Sequence, residues 1–185
     1  DFLAAAEQSL WQVCPLGPTG YGDSPYQNFS AFAGNPYLIS LNQLQEEGLL
    51  TEEDLAEAPE FPSDKVNYGE MINFKVPILK KAFREFKASV SNKEQEEFTS
   101  FCQENEAWLV DYALFRAIKE NFGGRPWTEW EEKIKFRDPE TLEEYKAELA
   151  DKIEFRKFLQ YVFFKQWTAL KNYANQQGIK IIGDI

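Results

Sequence analysis

The stretch Trp11 to Pro36, WQVCPLGPTGYGDSPYQNFSAFAGNP, constrains the chain more than any other because its backbone has so little choice of path. It opens as a short apolar run, Leu10, Trp11, Val13 and Cys14, which predicts a buried strand over residues 10–14. It then turns into glycine, proline, serine, asparagine and aromatics. Gly17, Gly20, Gly22 and Gly34 open backbone angles that other residues avoid, while Pro15, Pro18, Pro25 and Pro36 fix φ, so together they specify a stiff loop. A loop of this kind presents side chains for use. Those it carries are Tyr21, Asp23, Ser24, Tyr26, Gln27, Asn28 and Ser30.

Flat rings beside hydroxyls, an amide and a carboxylate suit a sugar, whose C–H faces lie on an aromatic plane and whose rim of hydroxyls needs fixed donors and acceptors. The competing reading of the same residues is a buried turn in which the tyrosines only fill space. The string Pro15–Gln27, PLGPTGYGDSPYQ, and after it Phe29–Ile39, FSAFAGNPYLI, resemble the second barrel strand and following loop of the amylomaltase family, the 4-alpha-glucanotransferases or disproportionating enzymes. The resemblance continues through Phe122–Trp127, FGGRPW, and ends at Gly178–Ile185, GIKIIGDI, which is similar to the family's third barrel strand. It therefore covers essentially the whole chain.

The periodicity along the rest of the sequence is helical. Ser40 caps a helix that stops at Gly48, and Thr51 opens a short one that Pro59 and Pro62 end. A longer helix is predicted over 71–88, with Pro77 expected to kink or interrupt it. Two more follow over 93–104 and 107–121, and Trp127 and Trp130 fall in a short helical piece open to either core or surface. Asp138 then caps one long helix with an apolar stripe from Leu142 to Ala174, its solvated face carrying a Glu148–Lys152 pair. Ile179, Ile181 and Ile182 make a terminal strand which, like the first, reads as parallel and buried on both faces.

The expected fold class is α/β: two parallel strands of a (β/α)8 barrel carrying a large helical insertion, so that the segment itself is mostly α. The expected organisation is a barrel strand and substrate loop over 1–40, a helical insertion over 41–137, and a long helix returning to a barrel strand over 138–185.

Composition narrows the partners. A net charge of −11 opposes nucleic acid and anionic membranes and is indifferent to neutral glucans. The chain has no histidine and two cysteines, Cys14 and Cys102, both read as small buried hydrophobes, so no metal site or cofactor is expected. No signal peptide and no run of about eighteen apolar residues occurs, which makes the cytoplasm the expected compartment. Phe2 to Ala6 read as the tail of a helix entered from upstream.

What the resemblance implies is a segment of an enzyme that transfers α-1,4-glucan chains between glucans through a covalent glycosyl-enzyme with retention. The family's nucleophile, acid/base and third acidic residue come from later strands, so no catalytic residue is assigned here, and the remaining part of the same enzyme chain is the implied partner. By alignment to the family's loop, Tyr26 would stack near the sugar whose bond is cut, with Ser24 offering it a hydrogen bond. Tyr21 and Tyr68 match aromatics of a second glucan-binding patch. Asp23 and Gln27 would brace the loop, and Asp184, at the end of its strand, would stand on the active-site rim. The ligand expected is a maltooligosaccharide. The alternative is a noncatalytic, helix-rich glucan-binding or scaffolding domain.

Overall fold

The computed structural model describes residues 1–184, with the side chain of Tyr21 left out. Helices lie at α1 (Phe2–Ala5), α2 (Leu41–Glu46), α3 (Glu52–Ala56), α4 (Tyr68–Ser89), α5 (Asn92–Glu104), α6 (Glu106–Asn121), α7 (Glu132–Lys135), α8 (Pro139–Glu148) and α9 (Ala150–Gln176), with strands β1 (Leu10–Gln12) and β2 (Lys180–Ile182) near the two ends. The fold is thus mostly helical, with a two-stranded parallel sheet. By its internal contacts the chain divides into two compact units, Asp1–Val90 with Gln160–Ile185, and Ser91–Leu159.

In the first unit Leu10 stands opposite Lys180, Trp11 opposite Ile181 and Gln12 opposite Ile182. The Lys180 N–H donates to Ser9 O at 2.8 Å and the Val13 N–H to Ile182 O at 3.0 Å. The paired segment is shorter than residues 10–14, since Pro15, which has no N–H to give, follows close behind. Burial on both faces is not observed. Leu10 is 55% and Ile182 43% exposed, and only the middle pair, Trp11 and Ile181, is half-buried. Cys14, expected in the core, is exposed, and Cys102 is intermediate.

The helix starts follow their caps. Ser40 Oγ accepts from the Gln43 N–H, and Thr51 and Asp54 form a reciprocal capping box. Asn67 accepts from the Glu70 N–H, so α4 begins before residue 71. It runs through Pro77 to Ser89 without the expected interruption, with the proline on its exposed side. Its buried face holds Leu79, Ala82, Phe83 and Phe86, the last 6.1 Å from the Tyr161 ring.

The second unit is built on Leu114, Ala117, Ile118, Trp130, Ile134 and Leu149. Trp130 is the aromatic centre, stacked on Phe122 at 5.6 Å and 16°, while Trp127 is exposed. The long helix expected from Asp138 onward is broken: α8 ends at Glu148, Leu149 with φ of −102° and ψ of 16° leaves the helical region, and α9 starts afresh at Ala150. The Glu148–Lys152 pair therefore straddles a turn, and Lys152 donates to Asn121 Oδ1 instead. Among the described residues no helix is long and apolar enough to cross a membrane.

Candidate functional site

The loop after β1 closes on itself in rungs. The Asn35 N–H donates to Leu16 O at 2.7 Å, the Phe29 N–H to Pro18 O at 3.1 Å, and the Gly20 N–H to Gln27 O at 2.8 Å. Thr19 and Asn28 form an antiparallel bridge between the limbs. At the tip the Gln27 N–H turns back to Ser24 O at 3.1 Å. The glycines serve a different purpose from the one their number suggests. Of Gly17, Gly20, Gly22 and Gly34, only Gly22 has a positive φ, 72°. Gly17 and Gly34 are needed for space: a Cβ on Gly17 would meet Asn28 at 2.6 Å, and one on Gly34 the Phe163 ring at 2.0 Å.

Against this loop lies a cleft of about 620 Å³, a size that suits a small ligand. Tyr26, Asn28, Phe29 and Phe32 border it from the loop, Trp167 from α9, and Asp184 from beyond β2. Phe32 is 66% and Tyr26 59% exposed, so neither ring fills a core. The Tyr26 hydroxyl donates to Asp184 Oδ2 at 2.9 Å. That bond, the carboxylate's charge and the nearby Cys14 thiol raise the phenol's pKa, which keeps its proton in place as a donor. The cleft therefore joins aromatic faces to a carboxylate and an amide.

The other expected site residues scatter around this pair. Ser24 Oγ accepts from the Tyr26 N–H at 3.3 Å, an arrangement that leaves the hydroxyl proton as a donor. Asp23 has a φ of 55°, a left-handed position that aspartate tolerates better than most, and it shapes the bend before Ser24. Gln27 enters the rungs by its backbone. None of these three borders the cleft, nor does Tyr68, a half-buried residue that opens α4. The side chain of Tyr21 lies outside the described residues.

Sequence reasoning did not assign Phe29, Phe32 or Trp167 to the cleft. The two phenylalanines stood in the loop as a visible signal; Trp167 was absorbed into the apolar stripe of its helix, where period alone does not separate core from cleft. Among the described residues no group of three or more His, Cys, Asp or Glu side chains gathers to hold a metal.

Known proteins resemble the chain along its full length. The family model described as 4-alpha-glucanotransferase matches residues 1–185. A 4-alpha-glucanotransferase of Thermus thermophilus is 50% identical over 184 residues, covering 100% of this chain and 36% of that protein. One from Synechocystis is 46% identical over 185 residues, covering 100% and 37%. Among solved structures, an amylomaltase from Streptococcus agalactiae in complex with acarbose matches with a TM-score of 0.92 at 40% identity, covering 100% of this chain and 37% of that one. The chain thus spans about a third of the length of these relatives.

Proposed function

Because the chain belongs to the 4-alpha-glucanotransferase family, we propose that it is the substrate-contacting segment of an enzyme that moves α-1,4-glucan chains from one glucan to another with retention, through a covalent glycosyl-enzyme. The observation that carries this reading is the cleft in which exposed Tyr26 and Phe32 stand beside Asp184. The rings offer a pyranose its apolar face, and the carboxylate and Asn28 offer partners for its hydroxyls.

In this reading the cleft takes a maltooligosaccharide. Tyr26 stacks near the sugar whose bond is cut and Ser24 donates to it. Asp184 stands on the rim and holds the Tyr26 hydroxyl until a sugar hydroxyl competes for it. Tyr21 and Tyr68 belong to a second patch on the glucan, and Asp23 and Gln27 brace the loop tip. The two strands are parts of a (β/α)8 barrel, with 1–40 its strand and substrate loop, 41–137 an insertion and 138–185 the return to the barrel. Retaining transfer needs two carboxyl groups about 5–5.5 Å apart. We assign neither to this segment; both come from the rest of the enzyme chain, which needs no metal or cofactor and works in the cytoplasm.

The test is turnover of maltoheptaose by the full-length enzyme. Tyr26→Ala should depress transfer at least tenfold, roughly the loss of one good ring contact with its hydrogen bond. Tyr21→Ala and Tyr68→Ala should mainly shift the ratio of linear, cyclic and hydrolytic products. Negligible effects at all three positions would reduce the tyrosines to packing and sink the reading.

A further inference from the structure

We infer that Gln160 is a positioning residue for the sugar cleft, holding its wall by clamping the backbone of Gly34; the inference rests on the cleft being the glucan site. The Gly34 N–H donates to Gln160 Oε1 at 2.7 Å, and Gln160 Nε2 donates to Gly34 O at 3.0 Å. The side-chain amide thus pairs with a peptide group as a neighbouring strand would. Six residues further along α9, Gln166 does the same to Ser40, taking its N–H at 2.7 Å and giving to its carbonyl at 3.1 Å. The spacing between the two glutamines equals that between their two targets, so α9 grips the segment from Gly34 to Ser40 at both ends.

Chemically the clamps are alike, but they sit in different places. Gly34 borders the cleft together with Ala33, Phe163 and Trp167. It lies so close on Phe163 that no side chain fits between them. Ser40 and Gln166 border a neighbouring groove beside Leu38 and Leu170, which shares Leu16, Phe163 and Trp167 with the cleft but none of the wall from Tyr26 to Gly34. Gln160 is 1% exposed, so no water stands ready to replace its amide. Removing that amide leaves two buried backbone groups without partners, and the Phe29–Gly34 wall must move to find others. A wall displaced by even an ångström no longer presents its rings to a bound sugar in register with Trp167.

The two clamps therefore make an internal control. Gln160→Leu and Gln166→Leu are compared in the full-length enzyme by melting temperature, by hydrogen exchange at the Gly34 and Ser40 amides, and by kcat and KM for maltoheptaose. Both variants should melt earlier, and each should lose protection at its own target amide. Only Gln160→Leu should raise KM, by about tenfold, with kcat changed much less. If Gln160→Leu does not fold, Gln160→Asn, which keeps the amide but withdraws it by one methylene, should give the same split in milder form. An unchanged KM in the Gln160 variants, or an equal rise for both clamps, overturns the inference. If the unaltered enzyme neither binds maltoheptaose nor transfers glucan while Gly34 still loses protection in Gln160→Leu, the glucan reading falls and takes the sugar role of the wall with it; the clamp as a backbone contact remains.

Discussion

In the unit Ser91–Leu159 the helix starts are set by caps within four residues and the longer contacts, such as Lys152 to Asn121, span 31 positions, whereas the segment Pro15–Ser40 is fixed by partners 126 positions along the chain. α5 starts where Ser91 Oγ accepts from the Glu94 N–H and Glu94 Oε2 accepts from the Ser91 N–H. α8 starts where Asp138 accepts from the Thr141 N–H, a bond that also holds the Asp138 carboxyl below its usual pKa. The core follows from apolar residues at helical spacing, joined by Phe122, Trp130 and Tyr145. The loop, by contrast, has three short rungs of its own, and its far end depends on Gln160, Gln166 and Phe163. Local rules make scaffolding legible and robust; a wall that keeps its rings exposed lacks that self-sufficiency and borrows its order from α9.

The contrast can be broken most forcefully at Trp130. This side chain is buried among Phe115, Phe122 and the unit's core, so Trp130→Ala should cost about 3–5 kcal/mol. In chemical denaturation with hydrogen exchange, the protection lost should lie first within residues 91–159. Loss spread evenly from the outset over Pro15–Ser40 would mean that the two regions are not distinct in this way. Next comes Gly34→Ala, which places a methyl group against the Phe163 ring and should cost about 1–3 kcal/mol by overpacking. Its mark is disproportion: glucan binding should fall further than stability, because the displaced atoms are the cleft's own. A smaller effect, about 1 kcal/mol, is expected for Ser91→Ala, which removes a local cap and nothing else. Sugar affinity should be untouched there, and a fall in it would argue against the purely local bookkeeping of that unit.

The same contrast decides what the sequence discloses. Ser40, Thr51 and Asp138 announce helix starts because a cap is a chemical event within four residues. The break at Leu149 is hidden because the apolar spacing of Tyr145, Leu149 and Ile153 runs on through the turn. The strands are legible as β-branched and aromatic runs, but their burial is not, since a strand's covering comes from elements elsewhere and Leu10 and Ile182 stay exposed. Tyr26 in the loop and Asp184 beyond β2 stand out as single residues, yet a hydrogen bond spanning 158 positions leaves no local trace. Gln160 did leave one: it is the sole amide in the otherwise apolar run Phe158–Phe164, and a polar group in such a run has a buried partner to find. The glycines misled because φ and space are two separate reasons for lacking a Cβ, and composition does not tell them apart.

The smallest expected effect concerns the far end of the loop, where Lys75 of α4 donates from Nζ to the Tyr37 carbonyl at 2.7 Å. Burial pushes the Lys75 ammonium down from 10.5 to about 8, so above that pH the folded chain holds fewer protons at this site than the unfolded chain does. The contribution of Lys75 to stability then rises with pH across the window from about 8 to 10.5, because the cost of burying the charge is fully present below 8 and fades as the amine neutralises. Lys119, also lowered by burial, pulls in the same direction, while Cys102, Tyr26 and Tyr145, all raised, pull in the other, so the slope of the unaltered chain is not Lys75's alone. Lys75→Met isolates it. Urea midpoints measured between pH 8 and 10 should change with pH in a less stabilising sense in that variant, and parallel slopes would mean that the ammonium is well solvated and that the Tyr37 anchor carries no burial cost.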